Sequence, residues 1–477
     1  YKELNNNTPL TGADHLLTIE GKTTAMLVIE GNTKTAPAYM IAVVNPQTLS
    51  KLEKKAYRES QLRDEFTDQS FVTITTDGTG NKQYGDFVMS NSVYAENGAR
   101  VCASSVSGHV EGTSDAATKN PVDIYVERVV AKATTNVNTD KGWEQIASGA
   151  DNGKYKIKVG KINIDAEHEK DVYAVVQGWG LADENRTAEL EKQIDVTTNW
   201  TSTTLGIDPW TTPDYHRCFW SSSVPFTPSS GSNPIVNHAF SAFTTPFGTT
   251  PLYTCPNTFT TEEFKASKNY EKPYDNTLTK VLVAAKLVYY DDDNNSHPAD
   301  ICKYRGMQIL GAKNVLTQVA KDYSDYWTVD KNDPNKHILL APEDLEYTRT
   351  DLVGADPLKS YEVRPVLKAN VKVYKKKSDG SGSFEATDSN DELNKELAKS
   401  PVQVRKEGMT YYYTPIRHLA ETTNKWGYYG VVRNHSYRIT INTISGFGTP
   451  VYNPAEIIVP VIPKDTETFL AARINVL

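Results

Sequence analysis

Strict alternation of apolar and polar residues is the feature that most limits what this chain can fold into. Tyr155, Ile157 and Val159 are separated by Lys156 and Lys158. Leu367, Ala369, Val371 and Val373 are separated by Lys368, Asn370 and Lys372, and Tyr437, Ile439 and Ile441 by Arg438, Thr440 and Asn442. A period of two places the apolar side chains of each segment on one sheet face, as two packed sheets require. The regular strand–helix alternation of a parallel α/β protein is missing. The 27 Tyr and 13 Phe residues suit a pleated, half-buried surface. These patterns predict an all-β chain, mainly β with a few short helices, built as antiparallel β-sandwiches.

Three helices are expected as decoration on the sheets. Residues 48–66 carry Leu49, Leu52, Ala56 and Leu62 among charges, with Pro46 just before. In residues 312–323 the apolar Val315, Leu316, Val319, Ala320 and Tyr323 recur at helical spacing. A third short helix begins at Ser389, which stands in capping-box relation to Glu392. At 477 residues the chain is long enough for two to four domains at about 100–200 residues each. The strand from Asp171 to Val176 runs into Gly178-Trp179-Gly180, and a polar, then Pro-rich, stretch follows. This places an expected boundary between an N-terminal domain of residues 1–195 and a C-terminal domain of residues 196–477 with loop insertions. Residues 221–260, dense in Ser, Thr, Pro and Gly, read as a long pinned loop, and residues 375–391 as a solvated hairpin insertion.

Signatures of chemistry are absent at the local level. No HExxH or HxH pair, GxSxG elbow, P-loop or Rossmann glycine pattern occurs. The acidic run from Asp291 to Asn295 fails as an EF-hand loop, because Ser296 and Cys302 stand where Gly and Glu are needed. It reads as a polar strand-end turn. Arg417 and His418 after Tyr411-Tyr412-Tyr413 could form a sugar platform, but a strand of alternating core and surface tyrosines explains them more simply. The expectation is therefore no enzyme, no cofactor and no metal. A net charge of -8 argues against nucleic acid, which needs clustered Lys and Arg, and no apolar run of about 18 residues is present to span a membrane. The four cysteines, Cys102, Cys218, Cys255 and Cys302, form no CxxC pair. Their spacing does not choose among the three complete pairings. A Cys218–Cys255 bridge is the one expected, since these residues flank the poorly periodic loop.

Several stretches together resemble the fimbrillins of the Bacteroidales, the subunits of type V pili, and most closely the minor (short-fimbria) fimbrillin group of Porphyromonas and its relatives. They are NPVDIYVERVVAK at 120–132, GW at 178–179, RCFW at 217–220, YTCPNT at 253–258, YYYTPIRH at 411–418, YGVVRNHSY at 429–437 and ISGFGTP at 444–450. The resemblance implies two transthyretin-like sandwich domains and export as a lipoprotein precursor. It also implies removal of an N-terminal strand by an Arg/Lys-specific surface protease, and mature protein in cell-surface fimbriae on the outer membrane. Each groove so opened accepts an extended strand from the next copy, giving a head-to-tail filament. Tyr437, Ile439 and Ile441 are then a core strand of the C-terminal domain. Ile474 and Val476 belong to the subunit's own last strand, with the donor segment following it. The implied partners are further copies of the chain, accessory tip and anchor subunits, the maturation protease, and host or bacterial surface ligands. The implied function is a shaft subunit supporting adhesion and biofilm formation. The alternative is a tip or anchor adhesin of the same family that binds a glycan or a protein.

Overall fold

A computed structural model describes residues 15–19, 22–26, 36–45, 73–76, 78, 82–96, 99–165, 167–186, 188–191, 215–217, 235–248, 250–258, 278–349, 362–387, 390–418, 430–460 and 469–476. Strands dominate, and nearly all pair antiparallel, as the alternation predicted. One sheet runs in the order Leu252–Thr254, Ala131–Val137, Ser436–Ser445, Phe469–Val476. The other runs Glu144–Gln145, Tyr155–Asn163, Glu169–Ala182, Lys280–Tyr290, Met409–Pro415, Thr449–Pro450. Ile439 and Ile441 from the first sheet share one buried cluster with Ile157, Trp179, Val283 and Tyr412 from the second, so the two sheets enclose a common core. Ala131–Val137 and Ser436–Ser445 run parallel, with Thr135 opposite Ile439.

Local departures from the period have physical causes. In Tyr155–Asn163 the alternation buries Ile157 and Val159, then a bulge between Lys158 and Gly160 resets the phase so that Ile162 is also buried. Lys280–Tyr290 does not alternate, because both its faces are covered. Val281, Val283, Ala285 and Leu287 face the sandwich core, while Leu282 and Ala284 pack under Phe240, Phe243, Val451 and Ile458. The Gly178-Trp179-Gly180 segment is strand interior, not a boundary turn. A Cβ at Gly178 would lie 2.4 Å from the Phe243 carbonyl oxygen, and one at Gly180 2.6 Å from the Phe243 ring. The two glycines let residues 240–245 lie directly on the sheet. The described part of the 221–260 region thus lacks periodicity because it serves as a cover, tied down where Trp179 N donates to Thr245 O.

The expected division at 195/196 does not separate two cores. Glu169–Ala182 pairs with Lys280–Tyr290 from Val172↔Tyr289 to Ala182↔Lys280, and both contribute to one cluster. A second core exists, but it is drawn from residues 302–404: Cys302, Tyr304, Val315, Val319, Leu345, Val363, Leu367, Leu393 and Val402 are among its buried members. Its sheets are Met307–Leu310, Ile301–Tyr304, Val402–Val404, Glu362–Leu367, Leu345–Thr348, and Asp333–Leu339, Trp327–Asp330, Tyr374–Lys376, Phe384–Ala386. This unit is inserted between Lys280–Tyr290 and Met409–Pro415, which pair with each other. The chain enters and leaves it at one place, where Arg405 N donates to Ile301 O at 3.2 Å.

The expected helix at 312–323 is Ala312–Asp322, burying Val315, Val319 and Ala320 against the second core. Asn390–Ala398 is helical, while Ser389 lies outside the described residues, as does the helix expected at 48–66. The strand expected to continue from Leu367 through Val373 stops at Leu367. Lys368 N donates to Asp344 O and Val371 N to Lys368 O, closing a turn that exposes Ala369. Leu367 and Val373 reach the same core from either side of that turn. The expected hairpin within 375–391 is formed by Tyr374–Lys376 and Phe384–Ala386.

Candidate functional site: the C-terminal sheet edge

Ser436–Ser445 lies at the centre of the smaller sheet of the main sandwich, and its alternation sorts its side chains. Tyr437, Ile439 and Ile441 are 0%, 1% and 0% exposed, Arg438 is exposed and Thr440 half-buried. A slip of one residue would bring Arg438 inward, so burial fixes the register. Phe469–Val476 pairs along it, with Val476 opposite Tyr437 and Ile474 opposite Ile439. Leu470, Ala472 and Ile474 pack against the core while Ala471 and Arg473 face solvent. The far side of Phe469–Val476 has no strand partner among the described residues. Its backbone therefore offers a row of donors and acceptors at the sheet edge, the feature by which one chain can add a strand to another.

The tyrosine run is interior. Tyr412 faces the main core and donates its hydroxyl to Gly446 O at 2.8 Å, and Tyr411 packs with Phe240 and Phe243 on the opposite side of the sheet. His418 is 6% exposed, with Nδ1 2.8 Å from the Tyr437 hydroxyl. That hydroxyl also accepts from Val432 N at 2.8 Å. Burial, with a smaller contribution from His435, pushes the His418 pKa down to about 3. A ring held neutral inside the fold is no sugar platform. The Asp291 run is a tight turn: Asn295 N donates to Asp291 Oδ1, and His297 lies 2.8 Å from Oδ2. His297 and the Asn295 amide hold the Asp291 carboxyl down at about 2. Among the described residues no group of three or more His, Cys, Asp and Glu could hold a metal.

Cys255 is a free thiol rather than half of a Cys218–Cys255 bridge, and Cys218 lies outside the described residues. Cys255 packs beside Val88, Val129, Val130, Ala188 and Leu190, and burial pushes its thiol up to about 12. Three buried polar joints escaped the sequence reading. Arg433 Nη1 donates to the Glu189 and Leu190 carbonyls and Nη2 to Ser90 Oγ, while Nε sits 3.3 Å from Glu127 Oε1. Arg405 donates to the carbonyls of Phe447, Ile301 and Gly448. Lys280 Nζ meets Asp183 Oδ2 at 2.5 Å with both side chains fully buried. Arg433 and Ser90 stand 343 positions apart, a distance over which no local pattern carries a signal.

Fold and edge together define a mainly β sandwich protein whose last strand has no second strand partner among the described residues. Residues 404–477 match the family model described as major fimbrial subunit protein type IV, fimbrillin, C-terminal. These residues supply Met409–Pro415, Ser436–Ser445 and the edge strand Phe469–Val476. No curated protein matches the chain. The match lies in the C-terminal part of the chain alone and supports a fimbrial subunit.

Proposed function

We propose that the chain is a shaft subunit of a type V pilus, polymerising head to tail by protease-triggered donor-strand exchange. The observation that carries this reading is the coincidence of the fimbrillin C-terminal match with the sheet whose last strand has no second partner among the described residues. In this reading the precursor is an exported lipoprotein, and an Arg/Lys-specific protease removes an N-terminal strand. The vacated groove accepts an extended donor strand from another copy. Backbone hydrogen bonds along the inserted strand supply affinity, and its alternate side chains fill the vacated slots. Accessory subunits cap and anchor the filament on the outer membrane, and adhesion and biofilm formation follow from its length.

Electron microscopy of the full-length precursor, before and after trypsin-like cleavage, tests it. Fibres should appear only after cleavage. Cleaved precursor that stays monomeric, yet binds another subunit at one end, would instead mark a tip or anchor adhesin. Fibres from the uncleaved precursor would refute triggering by the protease.

A further inference from the structure

The pair Lys280 and Asp183 differs from every other described Lys–carboxylate contact in its surroundings rather than in its length. Lys170 and Asp292 also approach to 2.5 Å, but that Asp is 95% exposed. Lys280 and Asp183 are both 0% exposed. They sit at the end of two paired strands, where Lys280 is the register partner of Ala182. Asp183, at φ 52, turns the chain out of Glu169–Ala182. Its carboxylate is held at both oxygens: Lys280 Nζ approaches Oδ2, and Asn237 Nδ2 donates to Oδ1 at 2.8 Å. Asn237 Oδ1 in turn accepts from Asp183 N, and Thr279 Oγ1 donates to Asp183 O, so the carboxyl group has little freedom to rotate away. Lys280 Nζ also donates to Leu278 O at 3.2 Å, which directs the remaining face of the nitrogen to the carboxyl group.

We propose that Lys280 and Asp183 are the site of an intramolecular isopeptide bond. A charged pair in a dry interior carries a large desolvation penalty, and passing the proton from the ammonium to the carboxylate Oδ2 relieves it, leaving an amine against a carboxylic acid. The amine lone pair attacks Cγ. The developing charge on Oδ1 is met by the Asn237 amide, placed as an oxyanion donor. The Cγ–Oδ2 bond then breaks, and the hydroxyl leaves as water with a proton from the nitrogen. The product is an Nζ–Cγ amide plus one water, with no oxidant, cofactor or other reactant. Fixing both groups at contact distance supplies the effective concentration that makes condensation competitive with hydrolysis. The bond would tie Glu169–Ala182 to Lys280–Tyr290 at the point where both leave the sheet. That covalent clamp suits a subunit pulled along its length, but the inference stands on the pair's geometry and does not depend on the filament reading.

Intact-mass spectrometry of the denatured full chain reads the outcome directly, whether or not any variant folds. The wild-type chain should be lighter than its sequence by one water, and a digest should yield a branched peptide joining Lys280 to Asp183. Lys280→Ala and Asp183→Ala should each restore the full mass, while Lys170→Ala should keep the deficit. A wild-type chain of full mass, or a lost water that maps to any other pair, overturns the proposal.

Discussion

Lowering the pH should cut the stability of the main sandwich through one residue, His418. Its ring is enclosed, lies 2.8 Å from the Tyr437 hydroxyl, and has a pKa near 3 in the fold. In the unfolded chain an exposed His titrates near 6.5. The folded value is depressed, so the unfolded state binds more protons between the two values. Stability is therefore greatest above about pH 6.5 and is lost as pH falls towards about 3. At about pH 5 the unfolded chain has gained its proton and the folded one has not, and the linkage is worth about 2 kcal/mol relative to about pH 8. That figure is set almost wholly by the unfolded value, and holds for any folded value below about 4.

The assay is urea unfolding of the wild type and of His418→Gln at both pH values, followed by far-UV circular dichroism. Two cores can unfold separately, so the relevant transition is the one that Ile441→Ala shifts. Gln can still accept from Tyr437 but does not titrate. Its absolute stability is immaterial; only its loss between the two pH values counts. The wild type should lose about 2 kcal/mol more than the variant over this interval. Equal losses would refute the argument, since His418 would then be able to take up a proton without unfolding.

Three further outcomes follow from the packing. Ile441→Ala should cost about 2–5 kcal/mol on denaturant unfolding, because a fully buried side chain is replaced by a cavity; a change under about half a kcal/mol would mean that the site does not face the core. Gly178→Ala should cost about 1–3 kcal/mol, since the new methyl meets the backbone at Phe243 and Thr244. Gly112→Ala, with nothing within 4 Å, should be close to neutral by the same measurement, and equal effects would remove the steric explanation. Native Cys255 at about pH 8 should alkylate on the order of a thousand-fold more slowly than an exposed cysteine, because its thiolate is scarce. It should react fully once the unreduced chain is unfolded; protection in the unfolded chain would reveal a disulfide.

The sequence was informative where one sheet face is buried and one is wet. Ile157, Val159, Tyr437, Ile439 and Ile441 show their burial in their spacing. It misled where burial is two-sided or where a turn happens to keep the phase. Lys280–Tyr290 carries apolar residues on both faces, so it gives no alternation by which to recognise the strand that joins the two halves of the chain. Without that strand, the polar stretch after Trp179 looked like the end of a domain. Leu367, Val371 and Val373 keep an odd-numbered rhythm across a turn at Lys368, because two segments, not one strand, converge on the same core. That Ile474 and Val476 lie in the subunit's own last strand was expected only through resemblance, and nothing in a strand's own residues says whether a neighbour lies beyond it.

Covering both faces of one strand also explains where the long insertion can be accommodated. Lys280–Tyr290 and Met409–Pro415 are neighbours in the sheet, yet the chain between them makes a second core before returning. Such an excursion leaves the main sheet intact only if its two ends are brought back together. Cys302 pairs with Val404 at the base of the insertion, and Arg405 then bonds Ile301 O, Phe447 O and Gly448 O from a position only 5% exposed. Thr410 Oγ1 donates to Phe447 O and Thr449 O beside it. Three carbonyls at the joint are thus satisfied by one guanidinium, each of whose nitrogens donates. The second unit is in this way joined to the first at its base, with a further contact where Arg349 meets Glu456 at 2.8 Å, while the edge at Phe469–Val476 belongs to the first. The fold of residues 302–404 and the sheet that ends in Phe469–Val476 are therefore carried by separate cores.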